Sequence, residues 1–186
     1  LHAAFLGADA YVALLLTGVR GLSLESASLC ITLAALGWSA SAFTQPWLFE
    51  RVGAVPLVVA GGIAVSISTA GLCATALGAP IQVAFVAWTI GGFGMGFSYP
   101  TISLVSLAAA GEGEEGKISS ATAVAALIGM LAGILLCGIP VSLAGHAGVV
   151  LSKAIVCTFA IAFLFSLMLL VVAPRLAAKR LANRGR

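Results

Sequence analysis

Residues 52–111 read VGAVPLVVAGGIAVSISTAGLCATALGAPIQVAFVAWTIGGFGMGFSYPTISLVSLAAAG, and from Arg51 to Glu112 no Asp, Glu, Lys or Arg interrupts them. A helix needs about 20 apolar residues to cross the hydrocarbon core of a bilayer. The run therefore holds two crossings, provided that it turns once. Leu77-Gly78-Ala79-Pro80 supplies the turn, because Gly and Pro punctuate helices. In lipid every backbone N–H and C=O must be satisfied within the chain, and for apolar stretches of this length the helix does so.

Working outward, further charge-free runs extend over Ser26–Phe49, Ile118–Ser152 and Ala154–Pro174. The fold class expected is all-α: a polytopic membrane protein of six transmembrane helices, placed at Leu1–Val19, Ser26–Phe49, Ala54–Ala76, Ile81–Ala108, Ile118–Ile139 and Val150–Ala173. Residues 1–174 form one six-helix bundle and 175–186 a basic tail. Pro46, Pro56 and Pro100 fall inside spans and Pro140 just past one, which transmembrane helices tolerate. Composition agrees: 61% of the 186 residues are hydrophobic and 8% charged, against about 25% charged in soluble domains. A water-soluble fold would expose apolar patches well beyond the few hundred Å² that monomers carry.

Alternate connections lie on one side of the membrane. One side collects Arg51, Lys117, Arg175, Lys179, Arg180, Arg184 and Arg186; the other has Arg20 and Lys153. Excess Lys and Arg marks the cytoplasmic face, so both termini are expected there. The basic tail RLAAKRLANRGR reads as a topology signal that touches anionic lipid, not as a nucleic-acid site. Abundant Ala, Gly and Val with scarce Lys point to a GC-rich bacterium, hence to its cytoplasmic membrane. The chain begins at Leu1 without an initiator Met or a secretory signal, and reads as part of a longer sequence.

Few residues here can carry chemistry. Cys30, Cys73, Cys137 and Cys157 lie in apolar runs without CxxC spacing or clustered His, so they read as small packing residues, and no metal or cofactor is expected. Asp9 is the sharpest signal. A charge at the centre of a span costs about 2.5–3.5 kcal/mol on insertion scales, and such residues usually face a bundle interior or a water-filled path. An Asp there can exchange a proton, as a coupled carrier requires. Its alternative is a position nearer the interface, where it is simply solvated.

Gly91-Gly92-Phe93-Gly94-Met95-Gly96-Phe97-Ser98-Tyr99-Pro100 does not follow the G-x-G-x-x-G phosphate pattern. Gly92 and Gly96 form a GxxxG pair, as do Gly129 and Gly133 in the fifth span, which lets helix backbones approach closely. With Tyr99 and Pro100, Gly92 and Gly96 are expected to shape a cavity; packing alone is the plainer reading of the glycines. Gly96-Phe97-Ser98 with His146 also permits an intramembrane serine protease, although nothing identifiable would build its oxyanion hole. Ala109–Ser119, with Glu112, Glu114 and Glu115, reads as a solvated turn.

The chain resembles the C-terminal six-helix half of the major facilitator superfamily, closest to its bacterial drug and metabolite exporters. Pro46-Trp47-Leu48-Phe49-Glu50-Arg51-Val52-Gly53 is similar to a degenerate G-x-x-x-D-R-x-G loop, with Glu50 for the acid and Arg51 and Gly53 matching directly. GFGMGFSYP with the GEGEEG loop and SSATAV is similar to the fourth span and loop of that half, and Asp9 before Arg20-Gly21-Leu22-Ser23 to its first. The resemblance implies a secondary transporter working by alternating access, with an N-terminal six-helix half or a second copy as partner and a small hydrophobic or amphipathic molecule as substrate. It implies that Asp9 couples to proton or substrate, that Glu50, Arg51 and Gly53 form a cytoplasmic gate loop, that spans one, two, four and five line the cavity, and that three and six face lipid. A non-transporting six-helix assembly module is the competing reading.

Overall fold

The computed structural model describes residues 1–147 and 150–184, with side chains for 1–145 and 150–172. Six helices make up the fold: α1 (His2–Leu14, continued by a π-helical turn over Leu15–Val19), α2 (Leu24–Val52), α3 (Ala54–Ala76), α4 (Ile81–Leu107), α5 (Glu115–Ala147) and α6 (Leu151–Arg184). All six are long and apolar enough to cross a membrane. The chain is thus an all-helical membrane protein, as the uncharged runs predict. Its two ends are called below the Gly53 face, which also carries Leu1 and the 108–114 connection, and the Arg20 face.

Helix limits follow local chemistry. The π turn closes with the Arg20 amide donating to the Leu15 carbonyl at 3.0 Å, after which Gly21 takes φ +69° and the chain reverses. Ser23 then caps α2, its hydroxyl accepting from the Ser26 amide. Only Gly53, at φ +79°, separates α2 from α3.

Three limits differ from expectation. α5 begins at Glu115 and runs through Pro140 to Ala147 instead of stopping at Ile139. Proline removes one helical N–H, but the carbonyls of Ile134 and Cys137 nearby also accept from Tyr11 and Thr158, so this turn is held by neighbours. The 175–184 stretch of the basic tail continues α6. The side chains of Arg175, Lys179, Arg180 and Arg184, all of Arg186, and the His146 side chain lie outside the described residues.

Packing pairs α4 most extensively with α3 and α2; α3 also meets α6, and α1 meets α5 and α6. Exchanging α1–α3 for α4–α6 preserves this scheme. The α2–α4 pair maps onto α5–α1, α3–α4 onto α6–α1, and α3–α6 onto itself, although the extents differ. α4 packs more closely on α2 and α3 than α1 does on α5 and α6, α5 and α6 touch more than α2 and α3 do, and a minor α1–α3 contact has no comparable counterpart. Because α1 and α4 cross in opposite directions, the two triplets form an inverted repeat. α1 is central, burying Ala4, Phe5, Ala8, Val12, Leu15 and Leu16 against the other helices. At the periphery α5 has 11% of its apolar window buried, against 50% in α3 and α4, so much of α5 is left for lipid or a partner.

Candidate functional site

Two glycine seams set where side chains can converge. On α2 the buried stripe is Ala27, Cys30, Ala34, Gly37, Ser41 and Gln45, a helical repeat of small residues ending in one amide. Gly92 and Gly96 of α4 press into it. A Cβ on Gly92 would fall on the Ala34 carbonyl, and one on Gly96 on the Ser41 hydroxyl and the Trp38 carbonyl. These glycines therefore sit at a backbone contact, the packing role that the GxxxG spacing allows. The second seam joins α1 to α5, where a Cβ on Gly133 would lie 2.6 Å from Ala3 Cα and one on Gly7 2.8 Å from the Gly133 carbonyl carbon; Gly129 is looser, 3.6 Å from His2 Cβ.

Side-chain hydrogen bonds stitch the same pairs. Gln45 Nε2 donates to Thr101 Oγ1 at 2.8 Å across α2 and α4, and Tyr11 donates to the Ile134 carbonyl at 3.0 Å across α1 and α5. Ser66 and Ser166 join α3 to α6 at 2.8 Å. On the Arg20 face, the Arg20 guanidinium donates to the Thr75 carbonyl at 2.7 Å; a cation at the C-terminal end of α3 satisfies a carbonyl and opposes the helix dipole.

Between α2, α4 and α5, towards the Gly53 face, lies a cleft of about 500 Å³. Gln45, Tyr99, Ser103, Ser119 and Thr122 give it hydroxyls and an amide; Ala42, Pro46, Pro100, Leu104, Leu107, Ile118 and Ala123 complete it. No lining residue carries a formal charge. Tyr99 and Thr122 also border a smaller cavity of about 250 Å³ with His2 and Gly129, and the His2 ring stands edge-on to Tyr99 at 4.7 Å. Of the four residues expected to shape a cavity, Tyr99 and Pro100 line the cleft, while Gly92 and Gly96 hold its two walls together.

Deeper in, Phe5 of α1 stacks on Trp88 of α4, centroids 4.5 Å apart and planes 4° from parallel, and meets Trp38 of α2 edge-on at 5.9 Å. Beyond this aromatic layer, towards the Arg20 face, is Asp9. Its carboxylate is half-buried, faced by the Trp88 indole and, from α2, by Cys30. The molecule thus has a stack of layers along its axis: uncharged cleft, His2–Tyr99, aromatic rings, Asp9.

The gate-loop residues do not form an ion pair here. Arg51 lies 3.8 Å from the centre of the Trp47 ring, a cation–π contact, and Glu50 is exposed. Among the described residues the one salt bridge is Lys117–Glu114, 3.6 Å and solvated. Ser98, the nucleophile of the protease reading, is fully buried at the α3–α4 crossing, its hydroxyl donating to the Val58 carbonyl at 3.4 Å. Gln45, Trp88 and His2 are the side chains that charge runs overlook, since none is an acid, Lys or Arg. The regular small-residue stripe ending at Gln45 was the available signal.

Neither protein-family models nor curated proteins match this sequence.

Proposed function

We propose that the chain is a six-helix half of a proton-coupled secondary transporter that exports small hydrophobic or amphipathic molecules by alternating access. The observation that carries this reading is the inverted repeat of helix triplets around an uncharged cleft. Nested inverted triplets within a six-helix half are how major facilitator transporters are built, with substrate sites formed between repeats. The GxxxG seams, the degenerate loop around Arg51 and the resemblance of the fourth span support the same family. A partner bundle, either an N-terminal half of the same protein or a second copy, would complete the cavity.

In this reading the cleft takes an uncharged solute through Gln45, Tyr99 and Thr122 while its apolar walls accept hydrocarbon. Asp9 carries the coupled proton. It is the one acid well inside a span, and the aromatic layer separates it from the cleft, so proton and solute need not collide. The Gly53 face is cytoplasmic, because the sequence gives that side Arg51, Lys117 and the five Lys and Arg of the 175–186 tail, against Arg20 and Lys153 on the Arg20 face. A bacterial cytoplasmic membrane fits that arrangement.

The test is the Asp9→Asn variant of the protein as its gene encodes it, assayed for efflux of a lipophilic dye driven by a pH gradient. Coupled efflux is expected to fall at least tenfold with unchanged membrane expression. Efflux at the parent rate would remove Asp9 from the coupling role.

A further inference from the structure

Trp88 is fully buried, and its indole N–H has no hydrogen-bond partner. Leaving such a donor bare costs about 1–3 kcal/mol. Its plane is fixed by stacking on Phe5. Phe5 and Asp9 stand four residues apart on α1, hence on one face of that helix, so the ring that holds the indole flat lies one turn from the carboxylate that the indole faces. The N–H and the carboxylate are neighbours without yet being aligned.

We infer that Trp88 is the positioning donor for Asp9: its indole N–H bonds the ionised carboxylate and loses that bond when the acid is protonated. The inference rests on the coupling role of Asp9 only for its consequence in transport; the contact itself stands apart. A carboxylate accepts a hydrogen bond more strongly than a carboxylic acid does. Ring stacking leaves the indole little freedom, so the exchange of one proton on Asp9 is felt by Trp88 and, through Phe5 and Trp38, by α2 as well as α4. The layer between cleft and acid then becomes the part that relays protonation.

Few other groups compete for this pairing. From α2 the neighbour is Cys30, a weak acceptor. α3 and α4 contain no Asp, Glu, Lys, Arg or His along their length. Cys137 of α5 is buried, and on the α6 side the Cys73 thiol of α3 donates to the Val156 carbonyl at 3.9 Å. The described charges of α5 and α6, Glu115, Lys117 and Lys153, stand at helix ends and are exposed. The rival acceptor is the Ser68 hydroxyl, also buried without a partner, which packs against Gly91 one turn along α4 from Trp88.

The indole N–H resonances of the intact protein in detergent micelles decide the matter. Three are expected, from Trp38, Trp47 and Trp88, with Trp88→Phe identifying the third. The Trp88 proton is expected to move downfield as pH rises through a single transition, because its bond to the ionised carboxylate is the stronger one. That transition should vanish in Asp9→Asn and persist in Ser68→Ala. A Trp88 resonance that ignores pH in the parent, or a transition that survives Asp9→Asn, would overturn the pairing. Should efflux not depend on Asp9 while the resonance still titrates, the coupling role of Asp9 falls and this inference stands.

Discussion

The α2–α4 and α1–α5 seams are equivalent in the inverted repeat, and both bring backbones together at glycine, yet they are constrained differently. α4 is held from two sides: Gly92 and Gly96 press on α2, while a Cβ on Gly94 would lie 2.6 Å from the Gly61 carbonyl oxygen of α3. It cannot retreat from one neighbour without entering the other. α5 meets α1 and α6 but presents most of its surface outward, including Leu127, Ile128, Leu131 and Leu135. One copy of the motif is clamped and the other has room to yield. Similar sequence spacing therefore does not imply similar tolerance; what lies behind the helix decides it.

The largest effect is expected at the clamp. Gly92→Val adds a side chain where the Ala34 carbonyl already sits, and overpacking of a site that cannot relax costs about 3 kcal/mol or more. Thermal unfolding in detergent should show it, with reduced recovery of folded protein. Gly133→Val meets an equally close backbone at Ala3, but α5 can shift away from α1, so about 1–2 kcal/mol is expected. Equal losses at the two sites would refute the idea that the outer flank of α5 provides relief.

Smaller changes sharpen the same contrast. Tyr11→Phe removes the donor to Ile134, and Gln45→Leu the donor to Thr101, whose own hydroxyl still bonds the Phe97 carbonyl. Neither leaves a buried carbonyl bare, so each should cost about 0.6 kcal/mol, the usual value for an interhelical bond in a membrane. A double-mutant cycle on Ser66→Ala and Ser166→Ala should give a coupling of similar size. A much larger figure at Gln45 would mean that the α2–α4 seam depends on its hydrogen bond as much as on backbone approach.

The six spans were legible because the cost of placing charge in hydrocarbon leaves a one-dimensional trace: α3 begins and ends where the uncharged run and its Gly-Pro turn place it, at Ala54 and Ala76. The ends of α5 were not, since Pro140 ends helices in water, and the turn before it here also takes a hydrogen bond from Thr158 of another helix. Gly92 and Gly96 announced a close approach by their spacing, but whether they border a cavity or a backbone depends on which face α2 offers, and α2 is distant in sequence. Asp9 stood out alone. Its surroundings of Phe5, Trp38, Trp88 and Cys30 come from three helices and leave no local pattern. Arg51 illustrates the reverse case: the loop motif singled it out, and its contact is Trp47, one turn earlier on the same helix.

The single residue between α2 and α3 has a mechanical corollary. These helices touch little beyond their shared end, so they diverge from Gly53 like the arms of a compass. Neither can slide lengthwise without the other. A few degrees of rotation at that vertex translate into a displacement that grows along each arm and is greatest at the far tips, where Ser23 and Thr75 lie. The leverage belongs to the geometry of the joint. With φ at +79°, that joint is one that any side chain other than glycine would strain.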